Sequence, residues 1–205
     1  SKETALAIAE TLMDKYNIDV HSEDSFVTAT GYGRVSVEYS DEVITEITCH
    51  AKGATEISEF ENCTVIDIGG QDTKVISING GIVDDFLMND KCSAGTGRFI
   101  EIMADRLGVT LEELFDLARE GESVKISSMC TVFAESEIIS LMGDGESRED
   151  IASGIVDSVV TKALQLASRF DLTGDVVLTG GLAQSPYFVS RLEEEIGNDI
   201  CTSEL

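Results

Sequence analysis

Two cysteines, Cys92 and Cys130, each lie in a short run of small and hydroxylated residues, Lys91–Arg98 and Ser127–Thr131. Thiolates are the usual protein ligands of iron–sulfur clusters, and Gly, Ser, Ala and Thr let backbone N–H and hydroxyl groups approach the cluster sulfurs. Two thiolates form half of a four-iron site, so this interpretation requires a second copy of the chain. Spacing alone favours the alternative that both cysteines are ordinary buried free thiols.

The stretch Asp67–Lys74 has a carboxylate at the end of a predicted strand, two glycines in the turn, and a hydroxyl and an amine on the returning strand. Glycines let backbone N–H groups approach phosphate oxygens, and a carboxylate can orient Mg²⁺ or a water. The alternative is a tight β-turn without a ligand. A second pair, Gly180 and Gly181, lies between a predicted strand and a helix, where adenosine fits against the backbone, although such turns are common in α/β folds.

Hydrophobic periodicity predicts the elements that position these residues. Apolar spacing and capping residues predict helices at 4–16, 41–57 (capped by Asp41), 99–107, 110–119 (with a Thr110/Glu113 capping box), 132–142, 150–170 and 185–196. Strand-forming residues predict strands at 26–30, 63–68, 74–78, 82–88, 176–178 and 199–202, of which the second to fourth form a β-meander.

Composition excludes several classes of function. Lys and Arg number 14 against 39 Asp and Glu, and the formal charge of −25 repels nucleic acid and anionic lipid. No apolar run approaches the roughly 20 residues that span a bilayer, and no secretory signal opens the sequence. Five cysteines, an odd count, indicate reduced thiols rather than a disulfide framework. We therefore expect a cytoplasmic protein without a nucleic-acid or membrane partner.

The two glycine turns together resemble the phosphate-2 and adenosine motifs of the actin, sugar kinase and Hsp70 superfamily, and not a Walker P-loop. With the cysteine loops added, the sequence resembles one family, the ATP-dependent activators of 2-hydroxyacyl-CoA dehydratases and the related ATPase subunits of benzoyl-CoA reductase. The matching stretches, in order along nearly the whole chain, are 29–34, 49–51, 67–74, 88–99, 130–137 and 179–181.

The resemblance implies an α/β, actin/sugar kinase/Hsp70-like (ribonuclease H-like) ATPase fold. It also implies a homodimer bridged by one 4Fe-4S cluster, with Cys92 and Cys130 of each subunit as ligands. ATP hydrolysis would drive a low-potential electron from this cluster to a 2-hydroxyacyl-CoA dehydratase or benzoyl-CoA reductase component. The electron donor would be a ferredoxin or flavodoxin, in an anaerobe.

The resemblance also assigns roles around ATP/ADP and Mg²⁺. Asp67 and Gln71 are the expected catalytic residues. The expected nucleotide-binding residues are Gly69, Gly70, Gln71, Asp72 and Lys74 in the phosphate segment and Gly180, Gly181 and Gln184 in the adenosine segment.

The sequence departs from the family pattern at both ends. It opens on Ser1 rather than Met and lacks the Asp-x-Gly-Ser/Thr hairpin of the phosphate-1 motif, and no Ala/Gly-rich helix closes it. We therefore expect a fold incomplete at its N- and C-termini, with 1–60 a remnant of the N-terminal lobe and 61–205 the second ribonuclease H-like lobe, which carries the cluster loops and the adenosine motif. Poor ATP hydrolysis by this chain alone is expected.

Two other functions remain open from the sequence. The first is a sugar or carboxylate kinase of the same superfamily, in which the cysteines are structural. The second is a non-catalytic folding unit. Iron content and kinase activity distinguish the first from an iron–sulfur activator, and loss of ATP binding with retained cooperative unfolding would indicate the second.

Overall fold

The structure is a computed structural model that describes residues 2–128 and 130–202. The chain divides into two units, Ser1–Gly53 and Ala54–Leu205, and the division falls inside one helix. The interpretation of residues 1–60 as the remnant of an N-terminal lobe stays a prediction. None of the described helices has the length and apolar character needed to cross a membrane.

The first unit contains helix α1 (Lys2–Tyr16), strands β1 (Thr28–Ala29) and β2 (Glu42–Val43), a 3-10 turn at Arg34–Ser36 and the first part of α2 (Glu46–Ser58). Strands β1 and β2 pair in parallel. Helix α2 is thus shorter than the helix predicted at 41–57.

Asp41 is not a helix cap, contrary to the prediction from its residue type. Its carboxylate accepts a hydrogen bond from the N–H of Val27 at 2.7 Å, and its own N–H donates to the Val27 carbonyl oxygen at 2.8 Å. These bonds hold Glu42 and Val43 beside β1, so strand β2 forms where a helix was expected. The Thr45 hydroxyl accepts from the N–H of Thr48 at 3.2 Å, just before α2 begins at Glu46.

The second unit is built on a five-stranded sheet with the order β5-β4-β3-β6-β7. Strands β3 (Cys63–Ile68), β4 (Thr73–Asn79) and β5 (Ile82–Asn89) form the predicted antiparallel meander. Strands β6 (Val176–Thr179) and β7 (Ile200–Thr202) continue the sheet in parallel with β3. The carboxyl ends of β3 and β6 therefore lie at the same edge of the sheet.

The helices of the second unit are α3 (Gly97–Leu107), α4 (Leu111–Glu120), α5 (Thr131–Asp144), α6 (Arg148–Ala167) and α7 (Pro186–Ile196), with a 3-10 turn at Gly181–Gln184. The stripe predicted on α6, which consists of Ile151, Ile155, Val159 and Ala163, is fully buried in the main hydrophobic core. The Thr110/Glu113 capping box is present at the start of α4. Helix α6 packs in the same core as β3, β4 and β6, so it supports the strands that end at the two glycine turns.

Candidate functional site

The two glycine turns lie side by side at one edge of the sheet. In the parallel pairing of β3 with β6, Asp67 is the partner of Thr179. The Thr179 hydroxyl donates a hydrogen bond to Asp67 Oδ1 at 3.0 Å. The turn that follows Asp67 and the turn that follows Thr179 are thus neighbours, although more than 100 residues separate them in sequence. The structure therefore brings the predicted phosphate and adenosine segments together.

Lys74 lies behind the first turn, enclosed by two carboxylates. Lys74 is the cross-strand partner of Asp67 in the antiparallel register of β3 and β4, so both side chains point to the same face. The Lys74 Nζ atom is 2.7 Å from Asp72 Oδ1 and 3.3 Å from Asp67 Oδ2. Lys74 is only 2% exposed, and Asp67 and Asp72 are also buried. Two carboxylates therefore share this buried lysine at the end of β3.

The other predicted nucleotide residues lie at the surface. Gly70, Gln71, Gly180, Gly181 and Gln184 are exposed, and Gly69 is half-buried. The Gly69 N–H donates to the Asp72 carbonyl oxygen at 2.9 Å, which closes the first turn. A surface rich in glycine backbone, beside a buried carboxylate, can accept phosphate groups and a divalent cation.

The loop that carries Cys92 is held by side chains on both sides. Asn89, at the end of β5, donates from Nδ2 to the carbonyl oxygens of Cys92 at 2.9 Å and Ala94 at 3.2 Å. The Thr96 hydroxyl, on the other side, donates to the Ser93 carbonyl oxygen at 2.7 Å. The backbone of the loop is therefore fixed while the Cys92 side chain remains exposed.

The Cys92 loop is also hydrogen-bonded directly to the first glycine turn. The Thr73 hydroxyl donates to the Gly95 carbonyl oxygen at 2.6 Å. At the start of α3, the Gly97 N–H donates to the Gly69 carbonyl oxygen at 2.9 Å. A displacement of the glycine turn would consequently also displace the Cys92 loop.

The two cysteine loops meet. Ser93, which follows Cys92, and Thr131, which follows Cys130, have their hydroxyl oxygens 2.7 Å apart in a hydrogen bond. Cys92 and Cys130 are both exposed, so the alternative of buried free thiols is wrong. Over the described parts of the chain, no group of three or more His, Cys, Asp or Glu side chains has an arrangement that holds a metal ion. Within the described residues, the two adjoining loops thus carry two exposed thiols, and their role as iron ligands stays a prediction.

Glu137, on α5, fastens the segment that leads into Cys130. Its Oε1 accepts hydrogen bonds from the N–H (2.9 Å) and hydroxyl (2.6 Å) of Ser127, and its Oε2 accepts from the N–H of Ser128 (2.8 Å). Partial burial raises the pKa of Glu137, but the bonds from Ser127 and Ser128 outweigh it and lower the pKa to about 2.

This hydrogen bonding predicts a pH-dependent contribution to stability. Because the folded-state pKa lies below the ordinary 4.5, ionised Glu137 stabilises the fold fully above pH 4.5, and the contribution is lost as pH falls towards about 2. We expect urea unfolding to show wild type more stable than Glu137→Gln at about pH 6.5, with a smaller difference at about pH 3. An equal difference at both pH values would contradict the assignment.

Comparison with known proteins places these features in a family. The model of the BadF/BadG/BcrA/BcrD ATPase family matches residues 6–204. The chain belongs to this family. Among its relatives, the (R)-2-hydroxyglutaryl-CoA dehydratase activating ATPase of Acidaminococcus fermentans is 47% identical over 204 residues, which are 98% of this chain and 77% of that protein.

Solved structures of this ATPase family agree with the fold. The crystal structure of component A of (R)-2-hydroxyglutaryl-CoA dehydratase from A. fermentans has a TM-score of 0.83 at 46% identity, covering 98% of this chain and 77% of that chain. The activator of 2-hydroxyisocaproyl-CoA dehydratase from Clostridium difficile with bound ADPNP has a TM-score of 0.80 at 41% identity, covering 96% and 73%. The predicted actin-like ATPase fold and ATPase class are confirmed.

Sequence reasoning missed several residues that shape the site of this ATPase. Thr179 and Asn89 had no assigned role of their own, although each lies next to a predicted site residue or cysteine loop. From the sequence, Glu135 and Glu137 could either act at the site or only favour the dipole at a helix start, with a slight preference for the dipole. The dipole interpretation is wrong because α5 begins at Thr131 and has no acidic residue in its first turn.

Proposed function

We propose that this ATPase is an iron–sulfur activator that couples ATP hydrolysis to transfer of a low-potential electron. The acceptor is a 2-hydroxyacyl-CoA dehydratase or benzoyl-CoA reductase component, and a ferredoxin or flavodoxin supplies the electron. The dehydratase class of acceptor is supported by the relatives, which activate 2-hydroxyglutaryl-CoA and 2-hydroxyisocaproyl-CoA dehydratases. Reduced thiols and an acidic surface are consistent with the cytoplasm of an anaerobe.

The glycine turns form the nucleotide part of the proposal. Gly69, Gly70 and Gln71 face the phosphates, while Gly180, Gly181 and Gln184 face the adenosine. Asp67 would hold Mg²⁺, and Gln71 would orient the attacking water. Lys74 contacts both Asp72 and Asp67, so Lys74 and Asp72 contribute to this site by holding the Asp67 carboxylate in place.

The hydrogen bond between Ser93 and Thr131 is the observation that carries the cluster part of the proposal. It holds two exposed cysteines on adjoining loops, and these thiols suit iron in both type and accessibility. Since one chain offers two such thiols, a homodimer related by a two-fold axis provides the four ligands of one 4Fe-4S cluster. When bound, the cluster supplies one-electron transfer at low potential.

Two further observations support assembly and coupling. Val132 and Phe133, next to Cys130, are 66% and 68% exposed, and large apolar side chains in such positions favour contact with another chain. The bonds from Thr73 to Gly95 and from Gly97 to Gly69 connect the nucleotide turn to the Cys92 loop. Movement of the turn during hydrolysis is therefore transmitted to the cysteine loop.

The cysteine assignment predicts loss of iron. After anaerobic reconstitution with iron and sulfide, we expect wild type to hold about four irons per dimer and to absorb broadly near 400 nm. Cys92→Ser and Cys130→Ser should each lose nearly all of this iron and colour because each removes two of the four ligands in the dimer.

Cys49→Ser is the matched control, since Cys49 is also exposed but lies outside both loops. We expect it to keep the iron of the wild-type protein. A colourless, iron-free wild-type protein that phosphorylates a sugar or carboxylate would overturn the proposal in favour of a kinase. Retention of four irons by Cys92→Ser would overturn the ligand assignment.

A further inference from the structure

The carboxylate of Glu137 satisfies three donors of the segment just before Cys130. Two are the backbone N–H groups of Ser127 and Ser128, and the third is the Ser127 hydroxyl. A carboxylate is the side chain best suited to this task because both of its oxygens act only as acceptors. A glutamine has one acceptor oxygen and would turn an NH₂ group towards one of the donors.

The position of Glu137 makes these bonds a constraint on Cys130. The residue is two turns into α5, whereas Ser127 and Ser128 precede that helix. Its side chain therefore ties the incoming chain to the body of the helix, and Cys130 lies between the two attached parts. The Cys130 carbonyl oxygen is itself fixed by the N–H of Ala134 at 2.9 Å.

The hydrogen bonds of Glu137 also determine which backbone N–H groups near Cys130 can bind a ligand. The N–H groups of Ser127 and Ser128 are occupied by Glu137, so they are not donors to a bound cluster. Glu135, two residues earlier on α5, carries the same charge but points elsewhere, because it binds Arg106 of α3 at 2.7 Å. The contact with the serines therefore belongs to Glu137 and not to acidic residues of α5 in general.

We propose that Glu137 is a positioning residue that holds Cys130 in the geometry required to retain iron. This inference rests on the proposed cluster function. Without the Glu137 bonds, the segment before Cys130 would sample several conformations, and the thiolate would spend less time at the ligand position. Iron should then leave the protein faster even though the fold persists.

Hydrogen exchange of the iron-free chain tests the contact independently of iron. In Glu137→Gln, we expect the amide of Ser128 to exchange about tenfold faster than in wild type. In Glu135→Gln, the charge-matched control on the same helix, we expect wild-type exchange at this position. Unchanged exchange in Glu137→Gln would overturn the inference.

Iron release from the reconstituted dimer to a chelator tests the positioning role. We expect release about tenfold faster for Glu137→Gln and within about twofold of wild type for Glu135→Gln. Broadening of the electron paramagnetic resonance signal of the reduced dimer should accompany the faster release. Faster amide exchange with wild-type iron release would overturn the inference.

If Glu137→Gln does not fold, a milder variant tests the positioning role. Ser127 is exposed, so Ser127→Ala should fold while losing one of the three bonds. We expect iron release about threefold faster than in wild type, and a wild-type rate would overturn the inference. A wild-type protein that holds no iron would instead overturn the proposed function, a failure distinct from that of the exchange experiment.

Discussion

Gly180→Ala should lower the free energy of unfolding by more than about 3 kcal/mol. Gly180 has φ +89° and ψ 175°, a conformation that residues with a Cβ atom rarely adopt. A Cβ atom at this position would lie 2.2 Å from the carbonyl oxygen of Ile68. Either the turn or the end of β3 must move, and that strand end carries Asp67. Urea unfolding followed by circular dichroism measures the loss.

Gly181→Ala provides the matched control for stability. A Cβ atom at Gly181 would meet no atom within 4 Å, and Gly181 has no positive φ. We expect its free energy of unfolding to stay within about 1 kcal/mol of wild type. If both variants have the same urea midpoint of unfolding as wild type, the close approach of the Gly180 turn to β3 is not present in solution.

Lys74→Met should cost about 3–5 kcal/mol of stability. The substitution leaves the buried carboxylates of Asp67 and Asp72 without the cation that lies between them. Two like charges in a region from which water is largely excluded repel each other, and both lose the lysine as their ion-pair partner. Chemical unfolding at pH 7 measures the effect.

Two further variants separate the ion-pair effect from the loss of a lysine. Lys125→Met removes an exposed lysine of the same unit and should change stability by less than about 0.5 kcal/mol. Lys74→Met combined with Asp72→Asn should recover part of the loss, because one buried charge is removed together with the cation. A Lys74→Met protein as stable as the Lys125→Met protein would contradict the buried arrangement.

Much of the fold was predictable because its signals are local. The buried stripe of α6 follows from helical periodicity, and the Thr110/Glu113 capping box follows from two residue types three positions apart. The meander follows from three strand-forming segments joined by short glycine turns. Asp41 was misjudged because its hydrogen bonds reach Val27, 14 residues away, where no local pattern indicates a partner.

The residue types at the site were also visible in the sequence, but their contacts were not. The role of Lys74 at a nucleotide stays a prediction, but its contact with Asp67 follows from the pairing of β4 with β3, which no local pattern indicates. The role of Thr179 depends on the neighbouring position of β6, which sequence separation conceals.

By itself, the sequence determined the family, the ATPase class, the order of most elements and the two cysteine loops. Cysteines, glycine pairs and apolar periodicity are properties of residue type and spacing, so they can be read from the sequence without a structure. Only the tertiary structure decided that both cysteines are exposed on loops joined through Ser93 and Thr131, and that Glu137 fastens the approach to Cys130. These contacts join segments that strand register and helix packing bring together, so no short-range pattern encodes them.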